Sequence, residues 1–559
     1  MRKTTRTIVA LFFLCLFVIN ASSQKKDTNE IKEKILYGKM SGILLQYDPG
    51  IDYSSLHEAY RRLYPSLPLV WNEQQEAYGS QMPLFFAQQK PKLFRILVLI
   101  AADLYAEQSV RKRIDRYADD IRSSYGSEVI LVTVSGGYPK EIKALIQSYY
   151  YGGGLDGAIF IGRIVPAWYE VPNDHYWWEG GYGYADWTCD LFYMDLDGQW
   201  EDTNFNGIYD SHTSGAGDVG PEIFVGRIDT STMLGYGEEI ELLNRYLDKN
   251  HQYWMGNISF TRYGLAYHDH DWRNETTFYF NNFFGSGNYE SRKWNSSDNP
   301  VTRNDYQNKR LVHPVYEFIE TWTHASYIFH DFHTGGRLYH YDIWESQPRA
   351  LGYNINGCHA FDWAAGGDQR FLGGSYLYNQ SVSSLVAVGS TKTGGMLGFD
   401  SFYQSLGKNN CIGKALVDWF TERLNSGEEK GYIIGWHYGM MIVGDPLICF
   451  QHVPGSDFFP VEIYPPLNVS VKQVENRSLF FREWINVLTW EANSENNDSQ
   501  VASYRIYVLS EDKLVLLDQV EQNVFSFYHR NVKNQEYWYA LSAVNAAGEE
   551  SRLVYVSIQ

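Results

Sequence analysis

The chain has 559 residues, 44% of them hydrophobic and 20% charged, with a formal net charge of −19. At roughly 100 to 200 residues per domain the length calls for several cores, and the composition is that of a globular protein, not a disordered or fibrous one. The acidic balance argues against nucleic acid as a partner, since phosphate binding draws on clustered Lys and Arg.

Residues 1–23 read as a secretory signal: a basic start (Arg2, Lys3, Arg6), an apolar run from Ile8 to Ile19, and small residues at Ala21 and Ser23 before a cut at Gln24. The apolar run of about a dozen residues falls short of the roughly 20 that span a bilayer. The expectation is an exported protein, periplasmic, surface-held or extracellular, with no transmembrane segment once the signal is removed. Cys15 follows Leu14 and not a small residue, which argues against a lipoprotein anchor. The other four cysteines (Cys189, Cys358, Cys411, Cys449) are too sparse for a disulfide scaffold and form no CxxC pair for zinc. A free reactive thiol stays open.

Residues 24–91 form a lead-in or a propeptide, with a helix over 54–63 and, beyond it, a stretch interrupted by Pro65, Pro68 and Pro83. From 92 to 250 short apolar runs alternate with amphipathic helices: strands at 93–101, 128–134 and 157–164, helices after the first and at 141–150, then a strand at 222–228 and a helix at 238–249. The βαβαβ order predicts an α/β fold with a mostly parallel sheet flanked by helices. From 251 to 457 come strands at 258–267, 325–333, 353–361 and 384–391, with helices at 307–320 and 412–424. Two α/β units side by side and one continuous sheet both satisfy this pattern. From 458 to 559 the strands shorten and no strong helix appears. Trp490, the strand at 503–509, the run at 537–545, Gly548 and Ser551 resemble an all-β immunoglobulin-like sandwich of the fibronectin type III kind.

A cysteine nucleophile needs an imidazole within hydrogen-bond reach, and the ends of adjacent parallel strands supply such a pair with little strain. His333 and Cys358 each close an apolar run, in ASYIFHDFHTGG and GYNINGCHAFDW, with Gly335 and Gly357 close by. The Gly357–His359 turn is a candidate oxyanion donor. His330 is a rival base. A lone buried Cys or His is more often a packing residue.

FIGRIVP (160–166), CDLFYMDLDG (189–198), PEIFVGRID (221–229), the His333 and Cys358 runs, LVAVGST (385–391) and VGDPLI (443–448) occur in an order that resembles the gingipain family of caspase-like cysteine peptidases, over roughly 95–450. The resemblance implies an exported cysteine endopeptidase acting on protein or peptide substrate without a catalytic cofactor, and often an immunoglobulin-like domain after the catalytic one. It places His333 as base and Cys358 as nucleophile. It draws the acidic residue that supports the base from Asp269 or Asp271, and a substrate-reading pocket from near Glu275. One departure is Thr334, which stands where the family has Gly directly after the His.

Asp202, Asn204, Asn206 and Asp210, with Gly207 turning the chain, reproduce the first nine positions of a calcium loop, although Thr213 replaces the usual Glu at the twelfth. A structural calcium ion is expected there, against an Asn/Gly-rich turn. His268 to Asp271, or His330 with His333, are transition-metal candidates without a supporting HExxH helix. The aromatic run HYWWEGGYGYADW (175–187) is a packing cluster or a platform for peptide or sugar. With the altered His–Thr–Gly turn it supports the alternative, a catalytically inactive surface protein binding peptide or glycan.

Overall fold

The computed structural model describes residues 51–74, 94–125, 127–177, 181–258, 260, 262–297, 300–333, 335–450, 465–477, 482–493, 496, 501–510, 513–533, 535, 537–544, 551 and 554–558. Residues 1–23, where a signal is expected, most of the lead-in, Gly548 and Thr334 lie outside the described residues.

The lead-in contributes helix α1 (Tyr53–Leu63), capped by the Asp52 carboxylate on Ser55 N, and a short strand β1 (Val70–Glu73). Then β2 (Arg95–Ala101), α2 (Gln108–Tyr125), β3 (Glu128–Ser135), α3 (Pro139–Gly153) and β4 (Gly157–Ile161) follow in the expected βαβαβ order. The helices arise where apolar residues recur at helical spacing: Val110, Ile114, Tyr117 and Ile121 of α2 are all buried. A hairpin of β5 (Trp168–Val171) and β6 (Ala185–Thr188) leads to β7 (Phe224–Ile228) and α4 (Glu239–Trp254).

The second half adds β8 (Gly264–His268), β9 (Tyr289–Lys293) and β10 (Phe318–Trp322). A separate antiparallel trio of β11 (His324–Ser326), β12 (Phe329–Phe332) and β13 (Gly336–Tyr339) precedes β14 (Gly352–Asn356), β15 (Val386–Ser390), α5 (Ile412–Leu424) and β16 (Met440–Gly444). The strand expected over 258–267 begins only at Gly264, and the one expected over 353–361 ends at Asn356. The helix expected over 307–320 is a single turn at Tyr306–Arg310 followed by strand β10. The strand expected over 325–333 is not in the main sheet but forms most of the hairpin β11–β12.

One eleven-stranded sheet carries the whole α/β region, in the order β1-β3-β2-β4-β7-β16-β15-β14-β10-β8-β9. Strands β3, β2, β4, β7 and β16 run one way, and β15, β14, β10, β8 and β9 the other, so the single interior antiparallel step is β16–β15. The interior strands of both halves are buried on both faces, as sheets covered by helices require. β10 achieves this with a charge inside. Glu320 is fully buried, and its carboxylate accepts hydrogen bonds from Tyr279 and Tyr403 at 2.6 and 2.7 Å, which replaces the water it lost.

Towards the C-terminus, strands β17 (Leu467–Arg477), β18 (Arg482–Glu491) and β21 (Ser526–Val532) form one antiparallel sheet. A second holds β20 (Lys513–Glu521), β19 (Ser503–Ser510), β22 (Tyr537–Val544) and β23 (Val554–Ile558). Leu488 and Trp490 of the first sheet share a core with Tyr504, Ile506, Tyr539 and Leu541 of the second.

Candidate active site

The ends of β8, β10 and β14 are in step. His268 pairs with Trp322 and Trp322 with Asn356. The pattern continues past the strands, with Asp269 N on Trp322 O at 2.9 Å and Thr323 N on Asn356 O at 3.3 Å. These bonds carry the register one residue past the strands, so that Asp269, Thr323 and Gly357 lie side by side, and His324 and Cys358 are the next residues of their chains. Gly357 confirms the closeness of the chains: a Cβ there would lie 2.7 Å from Ala325 Cβ and 2.9 Å from Thr323 O. Its lack of a side chain is a packing requirement of this junction.

The imidazole that follows this junction on the strand next to that of Cys358 is His324, two residues past β10 as Cys358 is two residues past β14, and it is a residue the sequence pattern did not single out. His324 is buried, and its Nε2 donates to Asp271 Oδ2 at 2.7 Å. The other oxygen of Asp271 accepts from His270 Nδ1 at 2.8 Å. Burial alone raises the Asp271 pKa, but His324 and His270 outweigh it and hold the carboxyl below its ordinary value. An ionised carboxylate is acceptor-only, so Nε2 of His324 carries the proton and Nδ1 is the basic nitrogen.

His333 sits elsewhere. It is exposed at the end of β12, its backbone N–H donates to Asp269 Oδ2 at 2.8 Å, and its ring stacks on His270 at 3.8 Å and 11°. The ring also meets Trp294, just past β9, edge-on. This puts it over β8 and β9, with β10 between it and the strand that carries Cys358. His330 is fully buried and spends both ring nitrogens on hydroxyls, Thr323 Oγ1 at 2.7 Å and Tyr376 at 2.8 Å. Burial lowers its pKa to about 3, which suits a packing residue and not a base.

The two candidate carboxylates divide. Asp271 faces the imidazoles, whereas Asp269 is buried and takes the His333 N–H. Burial pushes the Asp269 pKa up to about 6. Glu275 lies beyond this cluster, and its carbonyl accepts from Lys293 Nζ.

On the far side of Cys358, the loop after β15 closes the site. His359 N donates to Lys392 O at 2.9 Å, so that N–H of the Gly357–His359 turn is already used and does not serve an oxyanion. Lys392 is buried; its Nζ pairs with Asp174 Oδ2 at 2.7 Å and donates to Gly435 O at 2.6 Å. Burial lowers the ammonium's pKa, opposed by Asp174 and, more weakly, by Cys358, which lies within electrostatic reach. Asp174 begins the aromatic segment. Trp177 packs between Tyr432 and Gly435, where its ring fills the space of a side chain, while Tyr176, Tyr182 and Tyr184 stay exposed. Cys189, Cys411 and Cys449 are buried, and burial pushes the Cys189 thiol up.

The calcium-loop residues form a closed turn. Asp202 accepts from the backbone of Asn206 and Gly207, Asn204 and Asn206 accept from Asn206 N and Ile208 N, and Asp210 accepts from Thr203. Gly207 has φ +90, as the sixth position demands. Both Asn side-chain amides donate to Oε1 of the buried Glu170. The turn has the expected curl, and Glu170 offers a carboxylate where Thr213 does not. Among the described residues, the acidic set whose ligand atoms lie within 4.8 Å of one another is a different one: Asp195, Asp197 and Glu222. The buried Lys143 ammonium faces that set, which gives it a counter-charge of its own.

No family model matches the chain, and no curated protein matches it significantly. Among solved structures, one described as "Structure of Protease" covers 83% of this chain and 97% of its own, at 12% identity and a TM-score of 0.46. "Structure of FN3tt mut" covers 17% of this chain and 91% of its own, at 23% identity and a TM-score of 0.14. A pectate lyase, Pel3 from Pectobacterium carotovorum, covers 17% and 26%, at 12% identity and a TM-score of 0.14. Among the described residues no helix is long and apolar enough to cross a membrane.

Proposed function

We propose that the chain is an exported cysteine peptidase in which Cys358 is the nucleophile and His324 the base. The observation that carries this is the pairing of β10 with β14, which places His324 and Cys358 each two residues past the ends of neighbouring strands, with Asp271 bonded to the imidazole. His324 Nδ1 takes the thiol proton, and the thiolate attacks the carbonyl carbon of a peptide bond. The imidazolium then gives its proton to the leaving amine, and a water activated by the same nitrogen hydrolyses the thioester and restores the thiol. Asp271 keeps the proton on Nε2 throughout and stabilises the imidazolium by charge. The buried Lys392 ammonium favours the thiolate from the opposite side. No cofactor takes part.

Calcium at the 202–210 loop, export through the leader, and a supporting fibronectin type III module after the catalytic region belong to the same proposal. A second reading, a non-catalytic binder of peptide or glycan, draws on the exposed Tyr176, Tyr182 and Tyr184 beside the Lys392 loop. A thiol-reactive peptide probe separates the two. Labelling confined to Cys358, abolished by Cys358→Ala and lost on His324→Ala, supports the peptidase. Unlabelled protein that still binds peptide supports the binder.

A further inference from the structure

Helix α1 comes from the lead-in, yet it reaches the turn that carries Cys358. His57 is fully buried, and its ring bridges two carboxylates: Nδ1 to Asp186 Oδ1 at 3.1 Å and Nε2 to Asp362 Oδ2 at 2.9 Å. Asp362 also accepts from His359 Nδ1 at 3.0 Å and from Ala365 N at 3.1 Å. His359 directly follows Cys358. It holds φ +57, a conformation that a non-glycine residue keeps only where its surroundings impose it. Its surroundings do so on every side: Asp362 on Nδ1, Thr393 Oγ1 on Nε2 at 3.1 Å, Lys392 O on the backbone N–H, and the Tyr53 ring stacked at 3.4 Å and 9°.

We propose that His57 is a positioning residue for the thiol site: it holds Asp362, Asp362 holds His359, and the Cys358–His359 turn is thereby fixed against His324. The proposal rests on Cys358 being the nucleophile, and it makes α1 a permanent wall of the site instead of a removable cover. Withdrawing the helix strips Asp186 and Asp362 of their cations in a dry interior, a change that is strongly unfavourable. Among the described residues, the charged and titratable groups facing His57 are Asp186 from β6, Asp362 and His359 from the turn after β14, and, on its own helix, the capping Asp52 and Arg61, which pairs with Asp186 at 2.5 Å. Burial disfavours the imidazolium, but Asp362 and Asp186 outweigh it and raise the pKa to about 9. The clamp is complete at neutral pH and opens as pH rises through about 9.

The test measures carbamidomethylation of Cys358 by mass spectrometry on the full chain, from pH 7 to 10, beside turnover of a labelled casein. At pH 7, where the thiol needs the imidazole to ionise, the natural sequence is modified about tenfold faster than His57→Gln, the equivalent of one pKa unit of lost thiol–imidazole pairing. The two profiles converge towards pH 10, where the thiol ionises without help. Superimposed profiles for the two chains overturn the proposal. So does natural-sequence casein turnover that does not fall between pH 8 and 10 while circular dichroism reports a folded chain, a measurement that stands even if His57→Gln does not fold. A tenfold labelling difference at pH 7 with no casein turnover at any pH keeps the positioning role and removes the peptidase reading. Faster modification at pH 7 in Tyr53→Ala marks α1 as a cover and sinks the wall.

Discussion

Replacing Asp271 by Asn tests the core of the proposed mechanism. The Asp271 carboxylate accepts one imidazole N–H on each oxygen, at 2.7 and 2.8 Å. An amide retains one acceptor and turns an NH2 towards the other ring. At His324 that NH2 requires a lone pair on Nε2, so the proton moves to Nδ1, the nitrogen needed as base. The lost charge-assisted bond removes about 1.5 to 3 kcal/mol of orientation. The wrong tautomer adds to this, and a general base contributes about 10² to 10⁴ in rate, so Asp271→Asn is expected to lower kcat within that range while the chain stays folded. The assay is casein turnover with Cys358 labelling read in parallel, and His333→Ala as control. His333→Ala remains within about threefold, because β10 separates it from Cys358 and surface substitutions away from the chemistry cost little. Full activity in Asp271→Asn, or loss of activity in His333→Ala with His324→Ala still active, refutes the assignment of the base.

Asp269 carries a pH signature. Its folded pKa is raised to about 6 by burial, so its protonated form is favoured on folding, and stability falls as pH rises from the unfolded value through about 6. A rise of about two pH units corresponds to about 3 kcal/mol; Asp269→Asn is therefore expected to melt higher than the natural sequence at pH 7 and to lose that advantage at pH 4. Gly357→Ala drives a methyl into Ala325 and Thr323. Overpacking of this kind costs about 1 to 3 kcal/mol, visible as a lower melting temperature, with a drop in Cys358 labelling because the same junction sets the site. For the 202–210 loop, calcium raises and chelator lowers the melting temperature, and Asp202→Ala together with Glu170→Gln removes the difference; an unchanged melt with and without chelator ends the calcium assignment.

Much of the α/β region was legible because burial on both faces leaves an apolar run in the sequence, as in RILVLIA and GAIFI. Helix α5 starts and stops where its apolar spacing does. Strand β10 was not legible. FIETW carries a Glu and a Thr, and what makes its Glu320 tolerable inside is two phenols, Tyr279 and Tyr403, that are distant in sequence. With β10 read as helix, the residue two places after its end had no reason to stand out, and that residue is His324. His333 drew attention because it closes the aromatic run SYIFHDF, whose burial is real but belongs to the β11–β12 hairpin and not to the main sheet. The strand expected over 353–361 was legible at its start, where β14 keeps its five residues buried, but it stops at Asn356 and leaves Cys358 in the turn two residues beyond. The Gly357–His359 oxyanion donor failed in part for a long-range reason, the carbonyl of Lys392.

The position of β16 also governs how the sheet is assembled. This strand lies between β7 and β15 although it is the last of the α/β region to leave the ribosome. Until residue 444 emerges, the early half exposes the open edge of β7 and the later half that of β15, so the centre of the sheet closes last and through contacts of long sequence separation. The same threading makes the region resistant to being divided: a nick in the chain between β7 and α4 leaves β16 wedged between both halves, and the two fragments stay together as one body.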